Sequence, residues 1–200
     1  MSATTSFYEQ NATQLAQQYD SLTFETVHKS WQSHWPQKGA SVLDIGAGSG
    51  RDAKWLRSQG CKVVAVEPCD ALRDVGKRQT GRNVIWLSDS LPNLKRTRDL
   101  GLCFDVILLS AVWMHLSPDE RPIALDNLAQ LLTENGKLVI SLRHGEFNDS
   151  RKAYPVSVNE LEALSREIPL RVNQVVDCSD SLQRSQVNWQ TVVLASPTTK

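Results

Sequence analysis

The sequence predicts an α/β protein built on a doubly wound, mostly parallel sheet of seven strands whose last strand is antiparallel. Three observations carry this expectation. Runs of Val, Ile and Leu at Ser41–Ile45, Lys62–Glu67, Asn83–Leu87, Phe104–Ser110 and Lys137–Leu142 show little polar alternation. Strands covered on both faces read this way. Amphipathic segments fill the gaps, so strand and helix alternate and the crossovers are right-handed. Two later strands, Leu170–Val176 and Val187–Ala195, are separated only by the polar stretch Asp177 to Gln186. That stretch is too short for a crossover helix, so the pair reads as an antiparallel hairpin at the sheet edge.

The helices follow from their boundaries. Asn11–Tyr19 and Phe24–Trp35 have helical patterns and precede the alternating unit. They are expected to lie against the sheet or over its carboxyl edge. Asp52–Ser58 follows the first strand and stops at Gly60. Ala71–Gln79 follows the second, with Asp70 as N-cap and Gly81 beyond its end. Ser117-Pro118-Asp119-Glu120 has the form of a capping box. The helix it opens carries Ile123, Ala124, Leu128, Leu131 and Leu132 and is expected to end at Asn135-Gly136. Ser157 to Glu160 repeats the box before a helix that Pro169 terminates.

Composition bounds the function. In 200 residues, 22 Lys and Arg balance 22 Asp and Glu, and 40% of residues are apolar. One domain over residues 1–200 is expected, with 1–40 as a helical lid and 41–200 as the core. Net neutrality argues against capture of a polyanion by bulk charge. The charge is nevertheless uneven, since residues 51–98 hold eleven Lys and Arg against five Asp and Glu. The run Lys95-Arg96-Thr97-Arg98 makes nucleic acid a conceivable partner. No aromatic residues interleave with it, and a solvated loop is the favoured reading. The longest nearly apolar stretch, Val106 to Met114, is interrupted by Ser110 and is far short of the ~20 residues of a membrane span. The N-terminus lacks the pattern of a signal peptide. Cys61, Cys69, Cys103 and Cys178 form no Cys-x-x-Cys pair. Free thiols, a cytoplasmic location and no metal site are therefore expected.

The segment Val42-Leu-Asp-Ile-Gly-Ala-Gly-Ser-Gly-Arg-Asp52 runs from strand through glycines into helix. Glycines at 46, 48 and 50 let the backbone turn tightly and approach a ligand. Open α/β sheets bind ligands at the carboxyl ends of their strands. A phosphate loop needs Gly-Lys-Ser/Thr, but Arg51 and Asp52 follow Gly50. A dinucleotide loop needs glycine at the sixth position from Gly46, which is Arg51. Asp44 would repel a diphosphate but suits an amine or a sulfonium. Glu67 ends the second strand, where an acidic residue accepts hydrogen bonds from ribose hydroxyls. Asp89 follows the third strand, placed to receive an adenine amino group. The ligand so described has a ribose, a base and a cationic amino-acid tail, without phosphates.

These motifs make the chain resemble the class I S-adenosylmethionine-dependent methyltransferases, with a Rossmann-like fold, over about residues 6–194. Asp44-x-Gly46-x-Gly48-x-Gly50 matches the first motif of that family, and Glu67 and Asp89-Ser90 match the next two. Phe104 to His115 and Gly136 to Leu142 match its fourth and fifth strands. The resemblance implies S-adenosyl-L-methionine as cofactor and S-adenosyl-L-homocysteine as product. It implies a cofactor lined by the loop residues Asp44, Gly46, Ala47, Gly48, Gly50 and Asp52. Glu67 and Pro68 would follow at the second strand, then Asp89, Ser90 and Leu91 at the third, then Ser110 and Ala111. In such enzymes an N-terminal lid brings a tyrosine near the sulfonium, so Tyr8 and Tyr19 are further candidates. His115 after the fourth strand and His144 after the fifth are candidate general bases. Arg143 is suited to hold a carboxylate or phosphate on the substrate, and Arg184 and Trp189 lie near the same edge.

Three subtypes lack their residues. Pro68-Cys69 follows strand two, not strand four as a cytosine-C5 nucleophile requires. Ser110-Ala-Val-Trp113 lacks the Pro-Pro of adenine-N6 enzymes, and no carboxylate for a catechol-type metal follows strand four before Asp119. The expected activity is methyl transfer to an O or N nucleophile of a small molecule, by a monomer or homodimer without a membrane partner. Rival readings are a cofactor-binding module without turnover, an RNA or protein methyltransferase using the basic 51–98 face, and, more distantly, a nicotinamide oxidoreductase.

Overall fold

The computed structural model describes residues 3–197. Its sheet has seven strands: β1 (Ser41–Ile45), β2 (Lys62–Val66), β3 (Val84–Leu87), β4 (Phe104–Leu109), β5 (Leu132–His144), β6 (Arg171–Ser179) and β7 (Asn188–Ala195). They lie in the order β3-β2-β1-β4-β5-β7-β6. Strands β1 to β5 pair in parallel, and β7 runs antiparallel to both neighbours, β5 and β6. The order turns at β1 and β4, and that turn opens a crevice above the carboxyl ends of the strands.

Seven helices accompany the sheet: α1 (Ala3–Asp20), α2 (Phe24–His28), α3 (Arg51–Ser58), α4 (Asp70–Thr80), α5 (Lys95–Arg98), α6 (Arg121–Gln130) and α7 (Val158–Ser165). Both sheet faces are covered, as the near-continuous apolar strands require. Leu43, Val64, Ile107, Leu109 and Ile140 pack with Leu125 and Leu128 of α6 and Leu161 of α7 on one side. Val42, Val63, Leu108 and Val139 pack with Phe24, Trp31 and Leu56 on the other. Helix α1 lies on α4 through Ala12, Ala16 and Leu72. Its Glu9 accepts the Asp70 and Ala71 backbone N–H groups at 2.7 and 3.3 Å, which ties the N-terminal segment to the start of α4. No helix of the described residues is long and apolar enough to cross a membrane.

Several boundaries differ from the sequence expectation. The segment expected to be helical over Phe24–Trp35 is α2 followed by a 3-10 helix at Lys29–His34, kinked at Trp31 (φ −120°). The kink drives Trp31 into the core, where it is 1% exposed. Asp70 begins α4 rather than capping it; Cys69 takes the cap position and Asp70 pairs with Arg73. Ser117 and Glu120 do pair, the Glu120 carboxylate accepting the Ser117 N–H at 2.8 Å, but they form a turn ahead of α6. Helix α6 starts at Arg121, with Pro122 in its first turn, and ends at Gln130.

Leu132 belongs to β5 rather than to α6, because it pairs with Phe104 across the sheet. Thr133 then donates to Asp105 at 3.1 Å, and the ladder shifts register before Lys137. A Cβ on Gly136 would sit 2.9 Å from the Phe104 carbonyl, so glycine is what lets this bulge close. Ile123 faces solvent at 51% exposure instead of joining the core.

One close approach fixes how α3 and α4 seat beside the sheet. A Cβ on Gly76 would lie 2.2 Å from the Trp86 ring, and one on Gly50 would lie 2.9 Å from the Gly76 Cα. Replacing a helical glycine by alanine ordinarily stabilises a helix by about 1 kcal/mol. Here the rigid indole cannot yield, and overpacking costs about 1–3 kcal/mol. Gly76→Ala is therefore expected to lower the urea midpoint, with an unchanged slope, by the equivalent of about 1–2 kcal/mol.

Candidate active site

The glycine loop leaves β1 with Gly46, Gly48 and Gly50 at φ 69°, 55° and 86°. These left-handed values favour glycine over residues with a Cβ. The Val66 carbonyl at the end of β2 accepts the Gly46 and Ala47 N–H groups at 2.8 and 3.0 Å. Glu67 completes the anchor. One carboxylate oxygen accepts the Gly48 N–H at 2.9 Å and the other the Cys69 N–H at 2.8 Å. The side chain is 6% exposed. Burial pushes its carboxyl up to about 6, against the pull of the two backbone N–H groups.

Asp52 and Asp44 add two neighbouring carboxyl groups beside the loop. Trp31 Nε1 donates to His28 Nδ1 at 3.1 Å. An indole N–H is only a donor, so the His28 proton lies on Nε2, which reaches Asp52 at 3.0 Å. Arg51 donates from two nitrogens to the same carboxylate at 2.7 and 2.9 Å. Burial opposes ionisation of Asp52, but His28 and the Arg51 guanidinium hold it well below the usual carboxylate range. Asp44, 1% exposed, is raised well above that range by burial and by the Asp52 charge. It accepts the Ala53 backbone N–H in the first turn of α3, and its Oδ2 has no partner.

The opposite wall is basic and aromatic. His115 Nδ1 faces the Lys152 carbonyl at 2.8 Å and must donate to it, so Nε2 accepts the Tyr8 hydroxyl at 3.1 Å. Burial lowers the His115 imidazole, the Lys152 carbonyl opposes this, and Arg151 and Arg143 add to the lowering. Phe147 stacks on His115 with ring centroids 5.6 Å apart. Arg143 and Arg151 each lie 4.0 Å from the Phe147 ring. Ala111 takes φ 60° where β4 ends, and its N–H donates to Ser141 Oγ at 2.7 Å.

One cavity of about 770 Å³ joins these walls. That volume lies within the range of small-molecule and cofactor sites, about 300–1,000 Å³. Helix α1 contributes Tyr8 and Tyr19 to its lining. Tyr19 lies over the glycine loop, where a Cβ on Gly48 would meet its ring at 3.4 Å. Burial pushes the Tyr8 and Tyr19 phenols up.

Most of the residues singled out from the sequence border this cavity: Tyr8, Tyr19, Gly46, Ala47, Gly48 and Asp52 at the loop, Glu67 and Pro68 after β2, Asp89, Ser90 and Leu91 after β3, and Ser110, Ala111, His115 and Arg143 beyond. Three do not. Asp44 points away from the cavity into the start of α3, and Gly50 packs against α4. His144 sits on the other face of β5 from Arg143 and meets Gln190 at 2.9 Å. A strand alternates its side chains, so adjacent Arg143 and His144 cannot both face one crevice. Asp89 is on the cavity wall, but its carboxylate is engaged by the Ser90 N–H and by the Thr97 N–H and hydroxyl at 2.8–2.9 Å.

His28, Phe147 and Arg151 were not legible as site residues. His28 arrives through the kink at Trp31, and the other two lie in a polar loop without periodicity. The basic 51–98 region is partly neutralised within itself, since Arg51, Arg73 and Lys77 pair with Asp52, Asp70 and Asp74. No group of His, Cys, Asp or Glu among the described residues could hold a metal ion.

The sheet order, the glycine loop and the carboxylate after β2 define a nucleoside-binding α/β enzyme. A family model described as a methyltransferase domain matches residues 15–167, and the chain belongs to that family. It is a class I S-adenosylmethionine-dependent methyltransferase. An uncharacterized methyltransferase of Alkaliphilus oremlandii is 27% identical over 177 residues, which cover 82% of this chain and 75% of that one. Another, from Staphylococcus carnosus, is 29% identical over 104 residues, and the chain spans 45% of its length. Among solved structures, a TehB-like SAM-dependent methyltransferase of Corynebacterium glutamicum has 21% identity and a TM-score of 0.69, with 94% of this chain and 98% of that one covered. A Burkholderia thailandensis 1,6-didemethyltoxoflavin-N1-methyltransferase, with its substrate and S-adenosylhomocysteine bound, has 19% identity and a TM-score of 0.62, covering 94% and 89%.

Glu67 yields a signed pH prediction. Its folded-state carboxyl lies near 6 against an ordinary value of 4.5. The stability it contributes is therefore present below 4.5 and is lost as pH rises through about 6, amounting to about 2 kcal/mol. Denaturation between pH 4 and 7 should show a loss larger by about 2 kcal/mol in the wild type than in Glu67→Gln, which keeps the raised Asp44 carboxyl. Titration with S-adenosylhomocysteine should tighten as pH rises through about 6. In Glu67→Gln, affinity should fall about ten- to a hundredfold, as for a lost hydrogen bond to a charged group.

Proposed function

We propose that this enzyme transfers the methyl group of S-adenosylmethionine to an oxygen or nitrogen of a small molecule, which enters beneath α1 from the side of β4 and β5. The observation that carries this reading is the cavity beneath α1 with an acidic end at the glycine loop and a basic, aromatic end at His115 and Arg143. The residues suit the cofactor. Glu67 offers carboxylate oxygens to ribose hydroxyls, and Gly46 to Gly48 allow close backbone approach. Pro68 and Leu91 line the cavity where they would hold the base, and Asp52 would offer negative charge to a cationic amino-acid tail. When bound, S-adenosylmethionine supplies a methyl group already activated on a sulfonium.

The protein then has to hold the acceptor in line and exclude water. The lid helix α1 and its Tyr8 close the site. The Nε2 of His115 accepts the Tyr8 hydroxyl and burial disfavours its protonated form, so it can take the Tyr8 proton as Tyr8 takes the one released by an O–H or N–H acceptor. The 1,6-didemethyltoxoflavin-N1-methyltransferase, whose structure holds 1,6-didemethyltoxoflavin and S-adenosylhomocysteine, supports the small-molecule reading.

S-Adenosylhomocysteine should raise the melting temperature, and NAD should not. A metabolite extract incubated with methyl-labelled cofactor should give a labelled product of low mass. Label recovered only in RNA or protein would overturn the small-molecule acceptor, and no labelled product at all would favour a binding module. With the acceptor in hand, His115→Ala should lower kcat about a hundredfold and leave S-adenosylhomocysteine affinity within about twofold.

A further inference from the structure

We infer that the methyl acceptor is a small carboxylate and that Arg143, at the end of β5, is the residue that holds its carboxylate group. The inference rests on the methyltransferase reading above and adds the chemical class of the acceptor.

Arg143 is 6% exposed and lines the cavity. Its two terminal nitrogens donate to the backbone carbonyls of Gly145 and Glu146, and its buried Nε has no partner. No carboxylate among the described residues forms an ion pair with it. A guanidinium stays charged in a protein, and a buried charge without a counter-charge is strongly unfavourable. Carbonyl dipoles satisfy donors but leave the charge standing.

The neighbouring cations do not share this condition. Arg151 donates to both oxygens of Asp149 at 2.9 and 2.7 Å. Arg184 donates to both oxygens of Asp180 at 2.9 and 2.6 Å, and Trp189 Nε1 adds a third bond to Asp180 at 2.8 Å. Lys152 is exposed to solvent and acts on the nearby Glu120. Three guanidinium groups thus face two carboxylates, and one positive charge is left at Arg143. Burial disfavours the charge on Arg143, Arg184 and Arg151 add to this, and Asp180 and Asp149 offset part of it without forming an ion pair with Arg143.

A monoanion answers this deficit by one unit, whereas a phosphate dianion would exceed it. A planar carboxylate also matches the planar donor fork of arginine. Phe147 and Trp189 supply apolar walls beside it for the body of the ligand. The cofactor has a carboxylate of its own, but β5 stands two strands from β1 in the sheet, about 10 Å away. The glycine loop has Arg51 beside it.

The test uses the full chain saturated with S-adenosylhomocysteine, titrated with benzoate, its neutral isostere benzamide, and inorganic phosphate by calorimetry and thermal shift. Benzoate should bind at least tenfold more tightly than benzamide or phosphate. Arg143→Gln should weaken benzoate at least tenfold and leave S-adenosylhomocysteine affinity within twofold. Arg143→Lys, which keeps the charge and loses the fork, should lie between and serves if the Gln variant does not fold. Equal binding of benzoate and benzamide, no binding of benzoate, undiminished binding to both variants, or tighter binding of phosphate would each overturn the carboxylate assignment. Loss of S-adenosylhomocysteine affinity in the variants would also overturn it, by assigning Arg143 to the cofactor. Failure of S-adenosylhomocysteine to bind the wild type is a separate result, which would remove the methyltransferase reading itself.

Discussion

The carboxylate of Glu67 is the constraint on which the site depends. It ends β2, and its two oxygens take the N–H of Gly48 from the glycine loop and the N–H of Cys69 at the start of α4. A backbone N–H buried without a partner is costly; the Gly50 N–H finds one inside the loop at the Ala47 carbonyl, whereas that of Gly48 goes to Glu67. Glu67 therefore holds two elements in the geometry that makes the pocket. The burial that this requires is also what raises its carboxyl toward 6. A positively charged ligand beside it favours the ionised form, so folding and ligand binding pull the same group in opposite directions.

From that anchor the cavity acquires its polarity. Arg51 and His28 favour the ionised form of Asp52, while burial and the Asp52 charge raise the Asp44 carboxyl above the usual carboxylate range. Two close carboxylates thus divide their roles by environment, one offering charge to the cavity and the other closing the first turn of α3. At the far end the arginines outnumber their acidic partners. The overall balance of 22 against 22 conceals this separation, because it sums over a cavity with opposed ends.

The sequence made the fold legible where one physical requirement dominated. Strands covered on both faces must be apolar throughout, and β1 to β4 begin and end within one residue of their expected limits. Where two requirements competed, the sequence pattern misled. Leu131 and Leu132 fit a helical stripe, but Phe104 needed a partner on β5 and drew Leu132 into the sheet. Glu160 has the spacing of a capping box with Ser157, yet only the Ser157 half forms, at 3.2 Å from the Glu160 N–H. The Glu160 carboxylate pairs instead with Arg121, which is 1% exposed and needs a counter-charge more than the helix needs a second cap.

By itself the sequence determined the order of strands and helices, the glycine loop, the carboxylate after β2 and hence the class of enzyme, because each depends on residues near one another in the chain. Tertiary structure decided which polar groups converge. The turning of Asp44 into α3, the separation of Arg143 from His144 across β5, and the meeting of Tyr8 with His115 all depend on contacts between distant segments. Charge balance inside a cavity is a property of those contacts, and for that reason Arg143 lacks an ion-pair partner only because Asp149 and Asp180 are committed to Arg151 and Arg184.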